Sequence, residues 1–132
     1  MNEHPVAAWH RIVDDPSREQ LSQWLADDAV FHSPVVHTPQ RGKALVIAYL
    51  SAAFKVLGNE HFRYVREIVG PEDALLEFET AIDGIVVNGV DLIKWNAQGR
   101  VVEFKVMVRP LKAIQIVHQR MAAMLESAMS MR

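Results

Sequence analysis

Asp91 is the residue whose neighbours best suit it to move a proton. In VDLIKW (90–95), strict alternation puts it on one strand face with Ile93 and Trp95. A carboxyl on an apolar face loses hydration, which favours its neutral form and raises its pKa. A neutral acid can donate a hydrogen bond to a substrate oxygen or act as a general acid. The structural alternative is an aspartate at a strand end that bonds backbone amides or an arginine.

A second set of candidates crowds FHSPVVHTP (31–39), which holds His32, Ser33 and His37. If Ser33 faces inward, alternation sends His32 outward and leaves His37, on the following loop, as the imidazole for a pocket mouth. A histidine titrating near neutral pH could act there as a base. A solvated loop histidine is the plainer reading. His32 and His37 lack a metal-site spacing such as HExxH, so no metal is expected. Ser33 as a covalent nucleophile would want a GxSxG elbow, which the chain lacks. Arg109, just before Pro110, is held extended and could meet a ligand carboxylate or close a strand-end ion pair.

Around these residues the chain has the make-up of one globular domain spanning residues 1–132. At 132 residues it is long enough to bury roughly two-thirds of the surface it exposes when unfolded. Half of the residues are hydrophobic and 23% are charged, which excludes wholesale disorder. Fourteen Lys and Arg against sixteen Asp and Glu leave a formal charge of −2, so no basic field awaits a nucleic acid. With no cysteine, disulfides, thiolate metal sites and cysteine nucleophiles are out. The start of the chain lacks the pattern of a signal peptide, and no stretch is apolar enough for a membrane span. A soluble, cytoplasmic protein is the expectation. Nothing resembles a nucleotide-binding glycine loop, and no cofactor is expected.

The elements that must position these groups follow from periodicity. Val6, Trp9 and Val13 have helical spacing within residues 3–14. A short second helix carries Leu21, Trp24 and Leu25, with Asp15 as its expected cap and Pro16 at its first position. The run 29–34 reads as a strand stopped by Pro34. A third helix spans 42–58, apolar around most of its circumference, with Gly58 expected as a left-handed cap. Four strands follow at 61–69, 73–83, 85–95 and 101–109, and a closing helix at 112–129. Asp83-Gly84 is the expected hairpin turn, and Gly89 a bulge. In the strand after Gly70 and Pro71, Leu76, Phe78, Thr80 and Ile82 share one face, opposite Glu77 and Glu79. A cross-strand pair of Glu79 with Lys105 is expected on the outer face. Helices and strands kept apart in this way argue for an α+β fold with a curved, mostly antiparallel sheet.

This order of elements, with LADDAVFHSPVVHTPQRG (25–42) and VDLIKWNAQGRVVEFKVMV (90–108), resembles the nuclear transport factor 2-like superfamily. That group includes SnoaL-like polyketide cyclases and ketosteroid isomerases. The resemblance implies a cone-shaped α+β barrel, its sheet wrapped around helices with an apolar pocket at the open end. It also implies a homodimer. Ketosteroid isomerases place an aspartate base directly before the proline of a D-P-V segment; here that position is Ser33, in HSPV. Their oxyanion-holding tyrosine on the first helix falls at Trp9, and its partner aspartate at Asp91. One group of three is retained, so ordinary ketosteroid isomerisation is not expected.

The expected pocket is lined by Trp9, Ser33, Tyr49, Phe78, Trp95 and Phe104, with Asp91 and His37 as its catalytic groups. The expected function is isomerase-, cyclase- or hydrolase-type acid–base chemistry on a small apolar, carbonyl-bearing molecule. The alternative is a non-catalytic binding or dimerisation module of the same fold. One fold hosts all of these, so the decision rests on the site.

Overall fold

The computed structural model describes residues 3–130, with side chains through Ser127. Helix α1 (Pro5–Asp14) begins where the His4 ring accepts from the Val6 amide at 3.1 Å, with Pro5 at a position whose missing N–H costs nothing. Helix α2 (Arg18–Trp24) is capped by Ser17, whose hydroxyl accepts from the Gln20 amide at 3.2 Å. The cap is therefore Ser17 and not Asp15. Asp15 instead closes α1, its N–H donating to the Ile12 carbonyl at 3.1 Å.

Strand β1 (Leu25–His32) starts straight after α2, four residues before the expected Ala29. Leu25 already pairs with Val101, while exposed Asp27 and Asp28 sit in a register shift that breaks the alternation. A two-residue strand β2 (Gln40–Arg41) follows and pairs with β1. Helix α3 (Lys43–Leu57) matches its expected span and buries Val46, Ile47, Leu50, Ala52 and Val56. Gly58 ends it without a left-handed residue. Its φ is −81°, and its N–H simply continues the helical ladder to the Phe54 carbonyl at 2.9 Å.

Strands β3 (Arg63–Val69), β4 (Asp73–Ile82), β5 (Ile85–Trp95) and β6 (Val101–Arg109) complete one sheet. Its order is β2-β1-β6-β5-β4-β3, parallel between β1 and β6 and antiparallel elsewhere. The sheet is mixed, curved and not closed, as an α+β cone requires. The β4–β5 turn lies at Asp83-Gly84, with positive φ at both residues, 51° and 78°.

Gly89 is not a bulge. The β4–β5 ladder runs unbroken from Asp73 opposite Lys94 to Ile82 opposite Ile85. Glycine is required at 89 for another reason: a Cβ there would lie 2.5 Å from the Phe78 ring and 2.7 Å from the Met107 carbonyl. The expected pairing of Glu79 with Lys105 also fails, because β5 lies between their strands. Glu79 meets Arg63 at 3.0 Å instead.

The inner face follows the alternation read from the sequence. Leu76, Phe78, Thr80 and Ile82 on β4 are buried, as are Val87, Asp91, Ile93 and Trp95 on β5. Across them pack α1, with Trp9 stacked on Trp24 at 4.7 Å and edge-on to Phe104, and α3. Helix α4 (Leu111–Ser130) returns against α3, β5 and β6, burying Ala113 and Val117. Its Arg120 bonds Asp83 in the β4–β5 turn. Among the described residues, no helix is long and apolar enough to cross a membrane.

Candidate functional site

Asp91 projects from the middle of β5 onto the inner face, opposite Leu76 of β4 and Val106 of β6. It is 6% exposed, and with Thr80 it is one of two buried polar residues described. Tyr64, two strands away on β3, lies opposite Phe78 and extends its ring over β4. Its hydroxyl donates to Asp91 Oδ2 at 2.6 Å. The Trp9 indole N–H of α1 in turn donates to the Tyr64 oxygen at 2.8 Å. Three elements distant in sequence thus build one directional chain, Trp9 to Tyr64 to Asp91.

Burial pushes the Asp91 carboxyl from an ordinary value of 3.8 up to about 7, while the hydrogen bond from Tyr64 acts the other way by stabilising the carboxylate. The Tyr64 phenol is raised well above 10.0, first by burial and then by the neighbouring Asp91 charge. Tyr64 therefore remains a phenol at neutral pH, and Asp91 is the member of the chain that titrates there. Asp91 Oδ1 has no hydrogen-bond partner among the described residues. No described buried polar side-chain atom is left unpartnered, so Oδ1 must open into the cavity that Asp91 lines.

That cavity is about 400 Å³, bounded by α1, the C-terminal half of α3 and the inner sheet face. Its volume lies toward the small end for ligand pockets. Trp9, Phe54, Phe62, Phe78 and Phe104 supply an aromatic wall. No lysine, arginine or histidine is among its lining residues. Among the described residues, no three His, Asp or Glu side chains are gathered as metal ligands would be.

Four expected site residues meet here: Asp91, Trp9, Phe78 and Phe104. The other four lie outside the lining. His37 is exposed on the loop after β1, where Pro34 and Pro39 interrupt the strand pattern. Ser33 begins that loop, and its hydroxyl accepts from the Val35 and Val36 amides at 3.1 and 3.3 Å. Tyr49 packs against Phe31, and Trp95 is buried edge-on to His4. Sequence reasoning missed Tyr64. Its signal was the alternation of Phe62 and Tyr64 in HFRYV, which puts two aromatic rings on one face of the edge strand.

The SnoaL-like domain family matches residues 6–104. Among solved structures, a steroid delta-isomerase from Pseudomonas aeruginosa is 31% identical with a TM-score of 0.89, covering 96% of this chain and 92% of that one. An uncharacterised protein of cystatin-like fold from Silicibacter pomeroyi is 29% identical with a TM-score of 0.83, covering 90% and 83%. A Jannaschia protein named as a SnoaL-like polyketide cyclase shares the fold at 16% identity and a TM-score of 0.65, covering 86% and 90%. No curated protein sequence matches. With the family matched over most of its length and its fold shared with these neighbours, the chain belongs to the SnoaL-like family and has the nuclear transport factor 2-like fold.

Proposed function

We propose that this chain is a cytoplasmic enzyme of isomerase or cyclase type, doing acid–base chemistry on a small apolar molecule that carries a carbonyl group. The observation that carries this reading is Asp91: a buried carboxyl, raised to about 7, with one oxygen open to an aromatic cavity. In its acid form Asp91 donates from Oδ1 to the carbonyl oxygen, stabilising the charge that builds there as the adjacent C–H bond breaks. A water held beside the substrate takes the proton from carbon. If the Asp91 proton passes to the substrate, Tyr64 and, behind it, Trp9 stabilise the carboxylate left behind. The aromatic wall positions the apolar body of the substrate.

The 31% identity to a steroid delta-isomerase supports this class of chemistry. A second reading, binding without turnover, is favoured by Ser33: no carboxylate stands where the isomerase base would be, and the serine hydroxyl caps its own loop. The enzyme or binder works as a homodimer. Ile68, Leu75 and Leu92 form one row across the outer sheet face, and Val90 lies opposite Met107 beside it. Ile68 and Met107 are 59% and 47% exposed, so a second copy has an apolar surface to cover.

The test is deuterium incorporation next to the carbonyl of a small cyclic ketone in D₂O. Exchange above the buffer rate with wild type, and its loss in Asp91→Asn, is the expected result. Saturable binding of the ketone with exchange at the buffer rate would establish the binding reading instead.

A further inference from the structure

Asp91 serves one end of the cavity, and the other end has a carboxylate of its own. Helix α1 finishes at Asp14, which lines the cavity with Pro16, Gly58 and Asn59. All four are exposed, whereas Trp9, Phe78, Asp91 and Phe104 are buried, so these four frame the mouth. Asn59 is already committed. Its amide donates to the Ala81 carbonyl at 2.8 Å, and its Oδ1 accepts from the His61 amide at 2.8 Å and the Thr80 hydroxyl at 2.9 Å. Asp14 makes no hydrogen bond or ion pair among the described residues. It is the free polar side chain of the mouth.

The two ends ask for opposite things. The Asp91 acid is a donor and wants an acceptor on the ligand. An ionised Asp14 only accepts, so it wants a hydroxyl or N–H. Between them the wall is apolar, and no cation stands there to receive an anion. A ligand carboxylate would lose hydration without a partner and would face like charge at the mouth. A cavity of about 400 Å³ leaves room for a molecule of about two fused rings.

We infer that the cavity selects an uncharged, two-ended ligand: a fused-ring ketone whose carbonyl enters toward Asp91 and whose hydroxyl stays at the mouth on Asp14. Asp14 is then the specificity-determining residue of the site. The inference rests on the reading of Asp91 as donor to a carbonyl, and the test separates the two.

Three tetralones bearing a hydroxyl, a methoxy or a carboxylate at the ring carbon farthest from the ketone serve as probes. Binding is read at pH 6 from quenching of tryptophan fluorescence, since Trp9 lines the cavity. The hydroxyl compound should bind roughly tenfold more tightly than the methoxy compound, and the carboxylate roughly tenfold more weakly, as one gained or lost polar contact predicts. Asp14→Ala should bring the hydroxyl compound to the affinity of the methoxy one. Asp14→Asn, which keeps an accepting oxygen, should retain part of the hydroxyl preference while relieving the rejection of the carboxylate. Equal binding of hydroxyl and methoxy compounds to wild type, or a preference that survives Asp14→Ala, overturns the role of Asp14 and leaves that of Asp91 standing. Binding that ignores Asp91→Leu, which removes every donor at position 91, or no binding of any tetralone, overturns both.

Discussion

Tyr64 reaches from the edge strand across β4 to place its hydroxyl oxygen 2.6 Å from Oδ2 of Asp91, to which it donates. One carboxyl oxygen is thereby held by the protein and the other left for a ligand. The same contact opposes the effect of burial on the Asp91 carboxyl.

Folding raises the carboxyl of Asp91 from about 3.8 to about 7, so the native state holds a proton that the unfolded chain releases. The stabilisation from that proton is complete below about pH 4 and is lost as pH rises toward 7, a contribution on the order of 4 kcal/mol. Urea unfolding of wild type and Asp91→Asn across pH 4 to 8 measures it. The wild type should lose stability relative to the variant over this window, and parallel curves would show that Asp91 titrates normally.

Tyr64→Phe removes the donor that lowers the Asp91 pKa and leaves the buried Trp9 indole N–H without its partner. The carboxyl should therefore titrate above its wild-type value in a carbon-detected NMR titration. Stability should fall by about 1–3 kcal/mol, the cost of one unsatisfied buried donor.

At position 89 the backbone lies against the Phe78 ring, and Phe78 is part of the cavity wall. Gly89→Ala should cost about 1–3 kcal/mol through overpacking. It should also weaken ligand binding as the ring yields toward the cavity. Gly99→Ala is the control: a Cβ there meets nothing within 4 Å, and only its positive φ of 76° is strained. Thermal unfolding of both variants, with ketone binding, separates backbone strain from ring displacement.

For the outer sheet face, Met107→Glu places a charge in the apolar patch formed by Val90, Leu92 and Ile68. Light scattering on a sizing column should show a dimer in wild type and a monomer in the variant. A wild-type monomer at micromolar concentration would remove the homodimer from the proposal.

Much of the architecture is visible in the residue pattern, because one buried face forces alternation. Leu76, Phe78, Thr80 and Ile82 show it, and the same rule put Asp91 inside. The errors within the sheet share a cause: each concerned a pairing rather than a pattern. Glu79 and Lys105 carry suitable charges, yet successive hairpins put β5 between them. The start of β1 was hidden because Asp27 and Asp28 sit where the register shifts. Tyr64 was missed because its contact spans three strands, and β3 slips register just beyond it, between Tyr64 and Arg66. His37 drew attention by its chemistry alone, and nothing in its spacing required it to face the cavity. Asp14 offered no sequence signal beyond ending a helix.

Strand β3 is the outermost strand on its side of the sheet, with β4 as its one strand neighbour among the described residues. Helix α1 holds it from the side through His10, whose Nε2 lies 2.5 Å from Glu67 Oε1. The acid on the inner face thus depends on an edge strand. Amide exchange along β3 and ionisation of Asp91 become two records of one opening event. Each time residues 63–66 detach from β4, the Tyr64 hydroxyl leaves Asp91 and the hydrogen bond that favours its carboxylate is lost with it.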